Sequence, residues 1–352
     1  MRLLNIFSIF ALSISLTACV IEAQPTPPQP TIILYNWAGY IPQSILDAFA
    51  AETGIHVEYE VYADQEEAME QLRAGKQVDI AVLDNTYVPI AVAEGLLAEL
   101  NYANIPNFHF VSPGFRDLAF DPGNRYSITL QWGTTGLIVR TDRVDEPVTS
   151  WSDLWDPRYA GKIGIWPYGR EMIGIALKSL NYSLNSEDPD ELAEAEKKLL
   201  ALRSNVFLID PNLPTGAPHL IDGSAVMIYG WGYDAREAQA QLDAATYVLP
   251  QEGTIIWSDN ITISAGSRHK AAAEKFINFL FRPEISALMV NELWVAVPND
   301  AALPFIRPEI RDNLTVFPPF EALAQAEYYT AISPEAEQRY AQIWQRFLDE
   351  NE

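Results

Sequence analysis

From residue 31 onward, short apolar runs alternate with stretches in which apolar residues recur every three or four positions. Ile32-Ile33-Leu34-Tyr35 predicts a strand, and Asn36-Trp37-Ala38-Gly39-Tyr40 a loop after it. Pro42 opens a helix with Ile45, Leu46 and Phe49 on its apolar face, and Thr53-Gly54 ends it. Ile55, Val57, Tyr59 and Val61 alternate with polar residues, the pattern of a strand with one wet face. Asp64 is placed to cap a helix carrying Met69 and Leu72 that stops at Gly75. Val78 to Leu83 is almost continuously apolar, as in a sheet covered on both sides, and a helix is expected from about Val88 to Leu100. Strand–helix repetition of this kind predicts an α/β lobe.

A second unit follows. Tyr126 to Arg140 predicts a crossing strand, with the turn-rich centre Gly133-Thr134-Thr135-Gly136 as a candidate hinge. Ser152 is placed to cap the Asp153-Leu154-Trp155 turn. Lys162–Trp166 is a strand, Pro167–Glu171 the loop after it, and Met172–Leu180 a helix. Asp190–Leu202 is an amphipathic helix. Val206–Ile209, Ala225–Tyr229 and Thr246–Leu249 are strands, and Gly253–Ile263 is another that returns the chain. Helices are expected over Ala271–Leu280, from Pro283 to Leu293, and through most of the chain after Pro308.

Ligands in open α/β sheets bind beyond the carboxyl ends of the strands. Trp37 and Tyr40 follow the first strand and Asp84 the third, so all three belong to one rim. Each also has a plainer use: Trp37 as a cover for its own lobe's core, Asp84 as a helix cap. Trp257 and Asp259, two apart on a strand, share a face. An indole attracts a cation through its ring and a carboxylate pairs with it directly, so this pair is suited to an organic ammonium. Core packing for Trp257 and turn capping for Asp259 are the alternatives.

Composition sharpens this. With 47 acidic and 23 basic residues the formal charge is −24, which argues against nucleic acid or an anionic membrane surface as partner and suits a cationic ligand. The four histidines, His56, His109, His219 and His269, are scattered, so neither a metal nor a cofactor is expected. Residues 1–18 read as a secretory leader ending in Leu16-Thr17-Ala18-Cys19, which resembles a bacterial lipobox. The chain's single cysteine falls there, so Cys19 is expected to carry a lipid anchor. Residues 19–30 then form a proline-rich, extended tether.

Taken in order, several blocks resemble the spermidine/putrescine-binding proteins of bacterial ABC importers. They are Leu34–Trp37 with Tyr40 and Glu52–Ile55; Thr149–Trp155 with Pro157, Tyr159, Gly161 and Lys162; Pro250–Gly253 with Trp257 and Asp259; and Phe276–Pro283. The resemblance implies a two-lobed type II periplasmic-binding-protein fold of class α/β with crossing hinge strands. Its lobes would be discontinuous, 31–134 with 258–299 and 135–257 with 300–352. It implies an extracytoplasmic, monomeric protein that captures putrescine or spermidine between the lobes, delivers it to the membrane subunits of an importer, and is not an enzyme. Carried over residue by residue, Trp37 and Tyr40 match first-lobe ligand aromatics, Glu171 a ligand carboxylate, Trp231 the second-lobe Trp, and Trp257 and Asp259 the W-x-D grip. Asp234 falls where putrescine-selective members place an acid. Asp84 stands where relatives commonly have Ser, Tyr168 where spermidine binders often have Asp, and Val295 where a Tyr is expected. On this reading Asp84, Glu171, Asp234 and Asp259 neutralise ammonium groups, while Trp37, Trp231 and Trp257 enclose the methylene chain.

Other readings remain open at this stage. The same scaffold takes sugars, thiamine or iron, a sensor would bind polyamine without transport, and a glycosidase would also bring acids and aromatics into a cleft. No Gly-x-Ser-x-Gly elbow, His-Glu-x-x-His motif or phosphate loop is present.

Overall fold

The computed structural model describes residues 30–349. The leader, Cys19 and the tether up to Gln29 lie outside them. The chain opens with β1 (Thr31–Asn36), α1 (Gln43–Thr53) and β2 (His56–Val61), followed by α2 (Gln65–Arg73), β3 (Ile80–Asp84) and α3 (Tyr87–Ala93). Gly54 ends α1 at φ 72°, where a side chain would be strained, and its N–H donates to the Ala50 carbonyl. Asp64 caps α2 by accepting from the Glu67 amide.

The helix expected over 88–100 stops much earlier. Gly95 turns the backbone to φ 69°, and Leu97 forms a bridge with Ser264 instead of continuing the helical ladder. After several short turns, β4 (Ser127–Arg140) runs unbroken for 14 residues. Its glycine-rich centre is therefore strand rather than turn: Gly133, Thr134 and Thr135 are all in register with a neighbouring strand. Ser150, rather than Ser152, caps the turn at Trp151–Trp155, accepting from the Ser152 amide.

β5 (Ile163–Ile165) leads into α4 (Gly169–Ser179), which begins three residues before the expected start and so takes Glu171 out of the loop and into its first turn. α5 (Pro189–Leu202), β6 (Val206–Leu208), α6 (Ala217–Ile221), β7 (Met227–Trp231), α7 (Gly232–Gln239), β8 (Ala245–Val248) and β9 (Ile255–Ile263) complete this part. The chain ends in α8 (Lys270–Leu280), α9 (Pro283–Leu293), α10 (Pro308–Arg311), β10 (Glu327–Tyr328) and α11 (Pro334–Leu348). The stretch after Pro308 is thus only partly helical.

One sheet runs through the molecule in the order β2-β1-β3-β9-β4-β7-β5-β6, with β10 on β9 and β8 on β4. Alternation along the strands sorts side chains into separate cores. Ile32 and Leu34 of β1 and Ile80 and Val82 of β3 pack with Phe49 and Phe276 on one face; Tyr35, Ala81 and Leu83 pack with Met69 and Leu72 on the other. The second lobe has its own core, built from Leu137, Ile163, Ile175, Leu199 and Tyr229 among others. β4 and β9 pass from one core to the other: Ile128 and Ile261 lie in the first, Leu137 and Ile255 in the second.

Residues 300–323, expected with the second lobe, pack with the first. Ala302, Ile306, Ile310 and Val316 are buried in its core because the chain after α9 folds back on that helix before crossing over. The crossing itself is β10, parallel to β9. The Lys178 ammonium pairs with Glu327 at 2.8 Å from the second lobe, and Asn85 Nδ2 donates to the Tyr329 carbonyl at 2.7 Å from the first. α11 then seats Tyr340, Ile343 and Phe347 in the second core.

Candidate functional site

Strand register brings the chemistry together. Asp84 of β3 lies opposite Asp259 of β9, and Asp259 lies opposite Gln131 of β4. Trp257 lies opposite Gly133, and Thr135 opposite Trp231 of β7. Residues directly opposite share a face, as do residues two apart. Asp84, Asp259, Trp257 and Trp231 therefore line one surface that spans the crossing strands. Gly133 is required there: a Cβ would sit 2.3 Å from Cζ2 of Trp257, so the indole lies flat on bare backbone.

The first lobe supplies one wall. Trp37 Nε1 points at Asp259 Oδ1, 3.4 Å away. The edge of Tyr62 supports the indole, ring centres 4.8 Å apart. The Tyr59 hydroxyl holds the loop by donating to the Trp37 carbonyl and accepting from the Tyr40 amide. Trp37 also rests on the core below, covering it as the plainer use required. Asp84 Oδ1 accepts from the amide and hydroxyl of Thr86 at 2.7 and 2.6 Å, fixing the turn into α3.

The second lobe supplies the other wall. Glu171, in the first turn of α4, has a buried Oε2 with no hydrogen-bond partner among the described residues. Trp231 is surrounded by Trp166, Tyr168 and Tyr233, with ring centres at 5.9, 6.2 and 5.6 Å. Asp234 has a structural task. It is fully buried, and its two oxygens accept the Gly216 and Trp231 amides at 2.8 Å each. It fixes the β7–α7 turn beneath Trp231.

The acids are poorly solvated and close to one another. Burial pushes Asp259 up to about 7, with Asp84 adding to the effect and the Trp37 and Tyr40 hydrogen bonds opposing it. Burial pushes Glu171 up to about 8, opposed by Tyr229 and reinforced by Asp84, which belongs to the other lobe. Asp84 itself is raised, again mainly by burial. Asp234 is raised to about 7 by burial against its two backbone donors. Among the described residues none of Asp84, Asp259 and Glu171 forms an ion pair with a lysine or arginine. When ionised they have no protein counter-ion, which is costly in a buried setting and is why their protons are held so tightly.

A cavity of about 300 Å³ adjoins this surface, lined by Tyr40, Gln131, Gly133, Tyr233 and Trp257 from both lobes. Tyr59, Tyr62, Gln131, Gly133 and Tyr233 were not among the residues expected from sequence. Only Tyr233 carried a signal there, as the aromatic in Gly230-Trp231-Gly232-Tyr233-Asp234. The others matter through cross-strand or cross-loop contacts that no local pattern encodes. Among the described residues no helix is long and apolar enough to cross a membrane, and no group of three or more His, Cys, Asp or Glu is placed to hold a metal ion.

Two α/β lobes joined by crossing strands, with a cleft over those strands, define a type II periplasmic binding protein. Residues 44–303 match the family described as bacterial extracellular solute-binding protein, and the chain belongs to that family. It is 33% identical to the spermidine/putrescine-binding periplasmic protein of Escherichia coli over 320 residues, covering 90% of this chain and 91% of that protein. It is 28% identical to the putrescine/cadaverine-binding protein of Pseudomonas aeruginosa over 327 residues, covering 89% and 92%. The solved structure of the spermidine/putrescine ABC transporter substrate-binding protein of Streptococcus pneumoniae, in complex with calcium and HEPES, superposes with a TM-score of 0.84 at 29% identity, covering 91% of this chain and 98% of that one.

Proposed function

We propose that this protein captures a polyamine between its lobes and delivers it to an ABC importer. The observation that carries the reading is the trio Asp84, Asp259 and Glu171: three acids contributed by both lobes, with Asp84 repelling each of the others, without a basic partner, and walled by indoles. An organic dication relieves that repulsion. A cation–π contact contributes roughly 0.5–2 kcal/mol, so the rings orient the chain while the carboxylates hold it. Trp37, Tyr40, Tyr168, Trp231 and Trp257 form the aromatic enclosure, and Asp234 positions Trp231 from below. The names of the relatives support the same ligand class.

Cys19 becomes the lipid-bearing N-terminus in this reading, and the tether lets the lobes reach the importer from the membrane surface. Calorimetry with putrescine, cadaverine and spermidine, beside maltose, thiamine and ferric citrate, tests the ligand class; saturable binding of the sugar, thiamine or iron without binding of any amine refutes it. Metabolic labelling with a fatty-acid analogue tests the anchor: label should enter the protein and be lost in Cys19→Ser.

A further inference from the structure

The charge of the cleft changes along its length. Asp84, Asp259 and Glu171 are grouped, with Asp84 acting on both of the others. A cavity of about 300 Å³ lies beside this group, lined by Tyr40 and Gln131, which both neighbour Asp259, and by Trp257; no Asp or Glu lines it. Its one charged lining residue is Arg236 of α7. Arg236 Nη1 donates at 3.5 Å to the Leu293 carbonyl at the end of α9, a contact between the lobes that holds the guanidinium at the cavity. Among the described residues Arg236 forms no ion pair. A second cavity, of about 630 Å³ and lined by Thr86 and Gly169, also presents a guanidinium, that of Arg170, with Glu337 on the same lining.

Resting on the reading of the cleft as an amine site, we propose that it selects diamines: two ammonium groups sit on Asp84, Asp259 and Glu171, and Arg236 keeps a third positive charge out of the adjoining cavity while leaving room for an uncharged tail. Size does not make this selection. The cavity equals roughly ten waters' share of liquid volume, ample for a three-carbon arm. Like charge does: the Arg236 guanidinium and a third ammonium in one cavity repel, an effect that solvent at the exposed guanidinium weakens but does not remove.

The test separates charge from length. Calorimetry at pH 8 compares putrescine, spermidine and N1-acetylspermidine, which keeps a four-carbon dication but carries a neutral tail of the triamine's length. Spermidine should bind at least about tenfold more weakly than putrescine, and N1-acetylspermidine within a few-fold of it. In Arg236→Glu the spermidine-to-putrescine affinity ratio should rise about tenfold or more. The ratio is the readout because loss of the Leu293 contact alters closure for every ligand alike. Equal affinity for spermidine and putrescine, an N1-acetylspermidine as weak as spermidine, or an unmoved ratio in Arg236→Glu overturns the proposal while leaving the amine site intact. If no amine binds at all, the reading of the cleft fails and this inference with it.

Discussion

Replacing Asp259 with Asn should have opposite effects on the empty and the loaded protein. Asp259 is 5% exposed and faces Asp84 across the β3–β9 pair, with a folded-state pKa of about 7 against the usual 3.8. An acid whose pKa is raised on folding favours the fold when protonated. That advantage is full below the unfolded pKa near 4 and is lost as pH rises through about 7. At pH 8 the ionised Asp259 therefore costs the empty protein up to about 4 kcal/mol, from roughly three pKa units at 1.36 kcal/mol each; relaxation and cleft water reduce this to about 2. Asn keeps an acceptor for Trp37 Nε1 and removes the charge. The unliganded variant should melt roughly 4 °C or more above the wild type at pH 8, with the difference vanishing near pH 4. Putrescine affinity should move the other way, falling about 100-fold, because a buried ammonium loses its directly placed partner. Trp257→Phe should cost no more than about tenfold, the range of a cation–π contact. Differential scanning calorimetry across pH and titration calorimetry at pH 8 measure both. Equal affinity losses for the two variants, or an Asp259→Asn protein destabilised alike at pH 4 and pH 8, would refute the electrostatic argument.

Three further outcomes follow from the same geometry. Putrescine affinity should rise between pH 5 and 8 as Asp259 and Glu171, at about 7 and 8, give up their protons, by up to about tenfold per pH unit for each acid; binding at pH 7 should release protons, seen as a binding enthalpy that varies with the buffer's ionisation heat. Gly133→Ala should displace the Trp257 indole, whose Cζ2 would lie 2.3 Å from the new methyl, weakening putrescine binding about tenfold and costing about 1–3 kcal/mol of stability in urea melts. Ile310→Ala should destabilise the first lobe by about 2–5 kcal/mol, since the side chain is fully buried in that core; an unchanged melt would place residues 300–323 outside it.

Particular residues show how far the chain could be read unaided. The fold class and most strands followed from period-two and continuous apolar runs, and the pairing of Trp257 with Asp259 followed from their spacing alone. That Asp84 stands opposite Asp259 did not, because register between strands 175 positions apart is fixed by tertiary packing. The partners of Asp234 were hidden for the same reason: the resemblance placed an acid there, but that its oxygens accept the Trp231 amide and the Gly216 amide, 18 residues away, is set by the fold. The helix over 88–100 failed on one position, since apolar spacing continues through Leu96, Leu97 and Leu100 while Gly95 has already turned the chain. The assignment of residues 300–323 failed because apolar periodicity reports that a face is buried, not which core buries it.

The chain passes between the lobes three times, through β4, through β9, and again through the strap that carries β10. Two cords would allow the halves to swivel like beads on a doubled thread. A third, clipped to Asn85 on one side and Lys178 on the other, turns the joint into something nearer a book spine, free to fold along one line and stiff against twisting. An importer meeting the two outer tips would then read a single variable, the gap between them.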